Sequence, residues 1–466
     1  MIRFGAWLLL AAFLQPAGAE ERYAVDWGRL EPEILEHFTM LLKIDTSNPP
    51  GNETRAAQVI ETVLKREGIP VQLLALDPGR ANVVARLKGN GSKRPIVILG
   101  HTDVVGVQRE HWTMDPFAAV RKNNVIYARG ASDDKDHVVA GLMVMLLLKR
   151  MQVKLDRDVI FVAEAGEEGT TKVGIDYLVS QHWPEIEAEY GLAEGGSVIE
   201  NNGRVHHVLI NVTEKVPRGA RLIARGASGH GSRPSPKNAV VHLATAVARV
   251  GSWQAPIRLN EATRAYFRGL AAISPPQDAA RYRAVLDPAR AEAADRYFLD
   301  HEPGHYTMLR TSVVPTILQA GFRSNVIPSQ AEAYLDIRAL PDEDVPRLYA
   351  ELRRVIGDRT VDIVPAQTEG RPAAPPSRID NAMFQGLEAV SRRMFHAPVV
   401  PGMLAGATDC AQLRARGVQC YGFGPISSND EGPLGGAHSD DENIPVRSLM
   451  KLVEFLWNTV VEVAAQ

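Results

Sequence analysis

Apolar residues recur at spacings of three and four in two segments near the start of the chain, at residues 31–44 (EPEILEHFTMLLKI) and 53–68 (ETRAAQVIETVLKREG). This spacing puts the apolar side chains on one face of a helix, so both segments are predicted to be amphipathic helices. Shorter apolar runs follow at 94–100, 158–165 and 189–196, and each runs into polar or glycine-rich residues. Runs of this kind are typical of buried strands that end in a turn.

The order of these elements predicts the fold class. The segment 138–150, which lies between the first two predicted strands, is apolar on every side and is therefore predicted to be a helix covered by other structure. Strand, helix and strand in this order indicate an α/β domain with a mixed, largely parallel sheet that is flanked by helices.

The pattern changes after residue 212. Strand and helix patterns from 213 to 366 predict a smaller α+β domain, and an Arg- and Ala-rich helical excursion at about 258–305 enlarges it. Residues 367–466 return to α/β character. We therefore expect one α/β domain in two parts, 20–212 and 367–466, with the α+β domain inserted between them.

The first residues carry a targeting signal. Arg3 precedes an apolar core of about ten residues, and the small residues AGA follow at 17–19. Residues 1–19 are therefore predicted to be a signal peptide, and the mature protein is expected to be secreted or periplasmic. The apolar core is shorter than the about 20 residues of a membrane span, and no other segment is predicted to cross a membrane.

Charge and cysteine content exclude several classes of function. A formal net charge of −3 gives no electrostatic basis for binding nucleic acid or an anionic membrane. The chain has two cysteines, Cys410 and Cys420, which excludes a disulfide framework and a zinc site built from thiolates. A single Cys410–Cys420 bridge and two separate buried thiols are both compatible with the sequence.

Side chains that can bind metal collect where the predicted strands end. In an open α/β sheet, ligands bind beyond the carboxyl ends of the strands. The residues at these ends are His101, Asp103, Glu167, Glu168 and Glu194, and His438 lies on a glycine-rich loop near the C-terminus. Taken singly, each of them could equally be a surface or core residue.

The stretch RGASDDKD adds three acids, Asp133, Asp134 and Asp136, just before the predicted buried helix. Such acids could simply favour the positive N-terminus of that helix. Together with the two histidines, however, the carboxylates match the nitrogen and oxygen ligands that suit zinc when cysteine is absent. A carboxylate shared by two ions explains why the crowding is tolerated, so the residues indicate a two-metal hydrolase.

Eight motifs in order then resemble one family. They are GHTDVV, ARGASDDK, EAGEEG, AEGG, GASGHGSRP, SNVIP, ATDC and GGAHSDDEN. The set is similar to the zinc exopeptidase family of aminoacylase, glutamate carboxypeptidase and succinyl-diaminopimelate desuccinylase, over essentially the whole mature chain. The segment LRTSVVPTILQAGFRSNVIP and the helical excursion most resemble the carboxypeptidase S-like branch, which includes enzymes that hydrolyse N-acyl amino acids.

The resemblance implies a role for each residue of a two-metal site. The implied ligands are His101 and Glu194 for one ion, Glu168 and His438 for the other, and Asp133 as the bridge. Asp103 would hold the His101 imidazole, and Glu167 would act as the general base. The ions would be two zinc ions, with cobalt or manganese as alternatives.

For the inserted domain, the resemblance implies a lid that also forms a homodimer. His230 would stabilise the oxyanion, often in the site of the partner subunit. Asn325, Arg338 and Gly406 would contact the substrate, and Arg338 suits a bidentate grip on a terminal carboxylate.

The implied reaction is hydrolysis of an amide next to a free carboxylate in a small peptide, as in a carboxypeptidase or dipeptidase. Hydrolysis of an N-acyl amino acid is the alternative, and a binding protein that lost catalysis is a remote one.

Two positions depart from the pattern of the family: Asp136, followed by His137, stands where glycine is usual, and Ala411 stands where arginine is common. A role for His137 as an additional ligand is a further alternative.

Overall fold

The computed structural model describes residues 23–366, 370–428 and 436–466, so the predicted signal peptide at 1–19 lies outside the described residues. The helices up to residue 214 are α1 (Trp27–Leu42), α2 (Glu53–Arg66), α3 (Lys135–Arg150), α4 (Ile175–Gln181) and α5 (Trp183–Ile186). The strands of this part are β1 (Ser47–Asn48), β2 (Val71–Leu74), β3 (Asn82–Leu87), β4 (Ile96–His101), β5 (Val104–Val105), β6 (Val120–Lys122), β7 (Val125–Tyr127), β8 (Val159–Glu164), β9 (Tyr190–Ala193), β10 (Ser197–Asn201) and β11 (Arg204–Glu214).

The remaining elements complete two sheets. The helices are α6 (Ala239–Ser252), α7 (Glu261–Ile273), α8 (Pro276–Val285), α9 (Ala291–His301), α10 (Pro303–Met308), α11 (Val345–Ile356), α12 (Ala382–Phe395), α13 (Cys410–Ala415) and α14 (Val446–Ala464). The strands are β12 (Val216–Pro217), β13 (Ala220–Arg225), β14 (Gly229–His230), β15 (Ser312–Ala320), β16 (Val326–Ile327), β17 (Gln330–Ala339), β18 (Val361–Pro365), β19 (Val399–Leu404), β20 (Gln419–Gly422), β21 (Ile426–Ser428) and β22 (Asn443–Pro445).

A mixed sheet forms the centre of the fold, in the order β2-β3-β8-β4-β9-β20-β11-β10-β21, with β19 paired to β11. Its middle strands β8, β4, β9 and β20 pair in parallel, and antiparallel pairs lie to either side. Alternate residues of β4 belong to two separate hydrophobic clusters, Ile96 and Ile98 on one face and Val97 and Leu99 on the other. Both faces are therefore covered, and the fold has the predicted α/β class with a mixed, largely parallel sheet.

Helix α3 is buried from Lys135 to Leu148, as its apolar composition predicts. It lies directly on the sheet, because a Cβ atom at Gly141 would be only 2.6 Å from Phe161 Cε2 of β8. Glycine thus permits the close approach of helix and strand. This packing fixes the start of α3, and with it the acids that precede the helix, beneath the ends of the parallel strands.

An antiparallel sheet makes the inserted α+β domain, in the order β12-β17-β13-β18, with β15 also paired to β17. Helices α6 and α11 share a separate hydrophobic cluster with β13 and β17. On the outer strand β15, Val314, Ile317 and Leu318 are 50%, 52% and 60% exposed. The inserted domain therefore has its own core and presents an apolar strand on its surface.

The helical excursion α7–α10 has an aromatic core that contacts both parts of the fold. The rings of Phe267 and Phe298 stack with their centroids 5.8 Å apart. Their cluster includes Val400 and Met403 of β19 and also Leu340, which follows β17. The sequence predicts that the excursion enlarges the inserted domain, and in the structure its core is shared with the main sheet.

A disulfide joins Cys410 to Cys420, with Cα atoms 5.7 Å apart. It links the start of α13 to β20, so of the two possibilities for these cysteines the structure has the bridge. Among the helices of the described ranges, none combines the length and apolar character that crossing a membrane requires.

Candidate active site

The candidate site lies where neighbouring parallel strands end. β4 and β8 run side by side, so His101 at the end of β4 is paired with Glu164 at the end of β8. Glu167 and Glu168 follow β8 within one turn, and Glu194 directly follows β9. This is the edge of the sheet at which open α/β folds bind ligands.

Asp133 lies at the middle of the site. Its Oδ1 atom is 3.0 Å from His101 Nε2, and its Oδ2 atom is 3.2 Å from His438 Nε2. Glu194 Oε1 is 3.9 Å from the same nitrogen of His101, and Glu168 Oε1 is 2.8 Å from the same nitrogen of His438. One carboxylate therefore faces two groups of ligands, one through each oxygen.

These two ligand groups have the composition of a two-metal site. The first group is His101, Asp133 and Glu194, and the second is Asp133, Glu168 and His438. Within each group the ligand atoms lie within 4.8 Å of one another. Each group offers one imidazole and two carboxylates, a donor set that fits zinc and similar divalent ions. The structure thus brings all the predicted ligands together around Asp133.

The carboxylates of the site need positive charge nearby. Burial raises the pKa of Glu194 well above its usual range, and the charges of Asp134 and Asp133 raise it further. Crowding of this kind is relieved by a proton or by a cation. A divalent ion held between Glu194 and Asp133 would supply that charge.

The two histidines and Asp133 hold one another in the charged form. Burial opposes the charge of His101, but Asp103 and Asp133 outweigh it and keep the pKa of His101 well above its usual value. Hydrogen bonds with Asp133 and Glu168 raise the pKa of His438 to about 10. Metal binding requires neutral imidazoles, so ions and protons compete for these ring nitrogens.

Asp103 fixes the turn that carries the two glutamates. Its Oδ1 atom accepts hydrogen bonds from the backbone N–H groups of Gly166 and Glu167, at 2.9 and 3.1 Å, and Oδ2 accepts one from Glu168 at 3.1 Å. The Nδ1 atom of His101 is 3.0 Å from the backbone oxygen of Asp103 and 3.6 Å from its carboxylate. Asp103 therefore contacts the imidazole through its backbone oxygen, and its carboxylate sets the conformation of the loop.

Glu167 lies beside a guanidinium group that the sequence pattern does not reveal. Arg371 pairs with Glu167 Oε1 through Nη2 and with Asp409 through Nη1. Burial raises the pKa of Glu167 to about 8, against the opposing effects of Arg371 and His101. A carboxylate with a pKa near neutrality can accept a proton and release it again, as a general base and acid must.

A third group of ligand-type side chains, Asp134, Asp136 and His137, lies at the start of α3. His137 Nδ1 is 2.8 Å from Asp134 Oδ1, and His137 Nε2 donates to the carbonyl oxygen of Phe423 at 2.9 Å. Asp134 Oδ2 in turn accepts a hydrogen bond from the backbone N–H of His101 at 3.1 Å. His137 is thus engaged by Asp134 and the main chain, and this departure from the family pattern lies beside the main site. Ala411, the other departure, is buried in α13.

A cavity of about 1490 Å³ opens over the two ligand groups. Two of the predicted substrate contacts, Arg338 and Gly406, line it together with Glu167 and Arg371. The guanidinium of Arg338 lies 3.1 Å from Asp336 and is partly exposed. The cavity therefore combines four of the five candidate ligands, the predicted base and a cationic side chain from the inserted domain.

His230 and Asn325 lie together on a different surface. The N–H of Gly231, next to His230, donates to the backbone oxygen of Asn325 at 2.8 Å, and both residues are exposed. In the parts of the chain that the structure describes, neither side chain lines the cavity. The structure thus separates these two predicted residues from the metal ligands of the same chain.

The family model described as Peptidase family M20/M25/M40 matches residues 97–462, which include every residue of both ligand groups. The chain belongs to this family. It is therefore a metallohydrolase of the peptidase and aminoacylase type, as the eight motifs predict.

Curated relatives and a solved structure are also similar to this chain. The mouse (Mus musculus) N-fatty-acyl-amino acid synthase/hydrolase PM20D1 is 26% identical over 385 residues, which cover 79% of this chain and 74% of the relative. Mouse aminoacylase-1 is 25% identical over 395 residues, which cover 84% and 86%. The fold is similar to that of an M20 family metallo-carboxypeptidase from Sulfolobus solfataricus, with a TM-score of 0.70 at 19% identity, over 92% of this chain and 99% of that one.

Proposed function

We propose that the enzyme uses two divalent ions to hydrolyse an amide bond next to a free carboxylate. The observation that carries the proposal is the position of Asp133, whose two oxygens face the His101 and His438 ligand groups at 3.0 and 3.2 Å. A single carboxylate between two such groups is the arrangement that a two-metal hydrolase needs. Zinc suits the nitrogen and oxygen donors, with cobalt or manganese as alternatives.

The ions and Glu167 would have different roles in the reaction. When bound, the ions would polarise the amide carbonyl and make a water molecule more acidic. Glu167 would accept the proton of the attacking water, because its carboxylate lies in the cavity with a pKa of about 8. The water oxygen bonds to the carbonyl carbon, the C–N bond breaks, and Glu167 passes the proton to the leaving amine.

Arg338 and Gly406 would hold the free carboxylate of the substrate. A guanidinium grips a carboxylate through two parallel hydrogen bonds, and a backbone N–H of a glycine can add a third. Arg338 belongs to β17 of the inserted domain, whereas the metal ligands belong to the main domain. A substrate bound in this way would contact both domains.

A homodimer through the inserted domain would place His230 in the partner's site. The support for it is that His230 is exposed and lies apart from the cavity of its own chain, while β15 presents Val314, Ile317 and Leu318 on the surface. An apolar strand at the edge of a sheet is a typical site of pairing with a second chain. In the partner's site His230 would stabilise the oxyanion.

Export would place the enzyme outside the cytoplasm. The support is the signal-peptide pattern at residues 1–19 together with the Cys410–Cys420 disulfide, since disulfides persist in oxidising compartments. A secreted or periplasmic hydrolase of this type would act on small peptides, as a carboxypeptidase or dipeptidase, or on N-acyl amino acids.

The test is a hydrolysis screen of metal-reconstituted protein against dipeptides and N-acyl amino acids. We expect release of a free amino acid that stops when a chelator removes the ions and returns when zinc is restored. Metal analysis should give two ions per chain. Absence of chelator-sensitive hydrolysis with every substrate would refute the proposed function.

A further inference from the structure

A second cavity opens beside the metal ligands. Its volume is about 390 Å³, and it shares Gly195, Leu404 and Ala405 with the main cavity. Gly195 directly follows Glu194, so the opening lies next to the His101 ligand group. The volume falls within the range of roughly 300–1,000 Å³ that small-molecule sites occupy, so part of a substrate can enter.

The wall of this second cavity is mainly apolar. Its larger apolar residues are Leu209, Tyr266, Met308, Met403 and Leu404. Three polar groups of the wall are bonded to one another: Tyr266 Oη is 2.9 Å from His305 Nε2, and His305 Nδ1 is bonded to Glu302. The other two polar side chains are Asn211, which donates to the backbone oxygen of Gly195, and Thr307, which accepts from Lys215. Burial lowers the pKa of His305, although Glu302 opposes this, so the imidazole favours its neutral form. The wall therefore suits a hydrocarbon group.

The helical excursion creates this cavity. Helices α7 and α10 place Tyr266 and Met308 opposite the end of β19, which contributes Met403 and Leu404. The chain then continues from Leu404 through Ala405 to Gly406, which lines the main cavity. An apolar space made by the excursion thus adjoins the cavity at which the amide would be cleaved, with Gly195, Leu404 and Ala405 in the walls of both.

We propose that the second cavity holds the acyl chain of an N-acyl amino acid, and that N-acyl amino acids with extended acyl chains are the preferred substrates. This inference rests on the proposed function. With the carboxylate at Arg338 and the amide at the metal ligands, the acyl half is the part of the substrate that needs an apolar space. Burial of that chain would supply binding free energy.

A dipeptide fits the second cavity less well. In place of the acyl chain it has an α-amino group that is largely protonated near neutral pH. Burying that charge requires a partner, and the carboxylate of Glu302 already bonds to His305 and lies 3.8 Å from Arg281 Nη2. We therefore expect N-acyl amino acids to be hydrolysed faster than dipeptides with the same C-terminal residue.

The experiment compares a series of acyl chains. N-acetyl-, N-butanoyl-, N-hexanoyl- and N-octanoyl-leucine are hydrolysed by the wild-type holoenzyme, with alanyl-leucine as the dipeptide. We expect kcat/KM to rise about threefold for each methylene added, at least to hexanoyl, from burial of the added carbon atoms. A flat series, or a faster rate with alanyl-leucine, would overturn the inference while leaving the proposed function intact.

The variant Gly304→Trp tests the location. Gly304 lines the second cavity at the start of α10, and a Cβ atom added there meets nothing within 4 Å, so a large side chain can be introduced at the wall without a backbone clash. We expect the rise of kcat/KM with chain length to disappear, and the rate with N-acetyl-leucine to change less than threefold. The matched control is Gly28→Trp, another exposed glycine in the first turn of a helix, where the nearest atom to an added Cβ is 3.6 Å away.

A second variant and a second series complete the test. Met308→Ala enlarges the cavity, and we expect the chain length at which kcat/KM stops rising to be greater than in the wild type. N-acetyl derivatives of glycine, alanine, leucine and phenylalanine vary the amino-acid side chain instead. If Gly304→Trp changed this second series and not the acyl series, the cavity would hold the amino-acid side chain and the inference would be wrong. An equal loss in both series would also overturn it.

Discussion

The strand ends of the main sheet and the surface of the inserted domain differ in the burial of their polar residues. At the strand ends, His101 is almost fully buried and meets Asp133 and Asp103 of its own chain. In the inserted domain, His230 is exposed, and its Nδ1 atom lies 2.7 Å from Ser232 Oγ, two residues away. The candidate metal ligands are thus assembled within one chain, whereas the His230 side chain is exposed on the surface.

The two regions also differ in how they use apolar residues. Next to the candidate metal ligands, α3 and β4 are buried on all sides. The charged groups are therefore attached to closely packed elements of the fold. On the inserted domain, β15 leaves Ile317 and Leu318 more than half exposed. Burial fixes the geometry of the first region, and exposure makes the second region available for association.

The largest effect is expected for Glu167→Ala at the strand ends. Turnover should fall about a thousandfold or more, because the base is lost, while two ions per chain remain bound. Steady-state kinetics and metal analysis of the same sample check this. The matched control is Glu168→Ala, which should lose turnover together with metal, since Glu168 Oε1 belongs to the His438 ligand group. Near-normal turnover of Glu167→Ala would show that another group is the base.

His230→Ala tests the outward-facing region. We expect kcat to fall about 10²–10³-fold with both ions still bound, because one oxyanion donor is lost. If His230 acts in the partner's site, mixing inactive His230→Ala with inactive Glu167→Ala and allowing subunits to exchange should restore activity to about a quarter of the wild-type value, since each hybrid dimer has one complete site. No recovery after proven exchange would place His230 in the site of its own chain.

The proposed dimer should be weakened by Leu318→Glu on β15. A charge on an exposed apolar edge strand opposes pairing with a second chain. Sedimentation should show monomers at concentrations at which the wild type is dimeric, and kcat should fall by no more than in His230→Ala. Leu76→Glu, at a position 53% exposed in the main domain, is the control and should change neither property. A Leu318→Glu protein that stays dimeric would exclude β15 from the interface.

Arg371→Met is expected to have the smallest effect of the four, about tenfold at neutral pH. Arg371 lowers the pKa of Glu167, so its removal should raise that pKa by about one unit or more. Because the base works in its ionised form, the acidic limb of the kcat profile should move to higher pH, and activity should recover as the pH rises. Arg378→Met, an exposed arginine that pairs with Asp380, is the control. An unshifted profile would mean that Arg371 has a structural role alone.

Most residues of the candidate site could be located from the sequence because they lie next to a strong local pattern. His101, Glu167, Glu168 and Glu194 follow buried strands, and parallel strands bring their carboxyl ends to one edge whatever the rest of the fold does. The burial of helix α3 is predicted equally well, because a segment that is apolar on every side has to be covered by other structure. In these cases the local pattern and the tertiary position agree.

Arg371 and the second cavity could not be predicted in this way. Arg371 follows β18 in a segment without periodicity, and its partners Glu167 and Asp409 are 204 and 38 residues away in the chain. The packing of α7 on β19 joins residues more than 100 positions apart, such as Phe267 and Val400. Such contacts depend on the packing of distant parts of the chain against one another. The spacing of residues within one segment carries no information about that packing.

The hydrogen bonds of Asp103 have a consequence for the apoprotein. One carboxylate at the end of β4 receives three N–H groups from the turn after β8, so the positions of Glu167 and Glu168 depend on amide bonds and strand pairing. Folding and metal loading would then be separate events, unlike those of small zinc domains that collapse without their ion. A chain built in this way would fold first and acquire its ions from the surroundings afterwards.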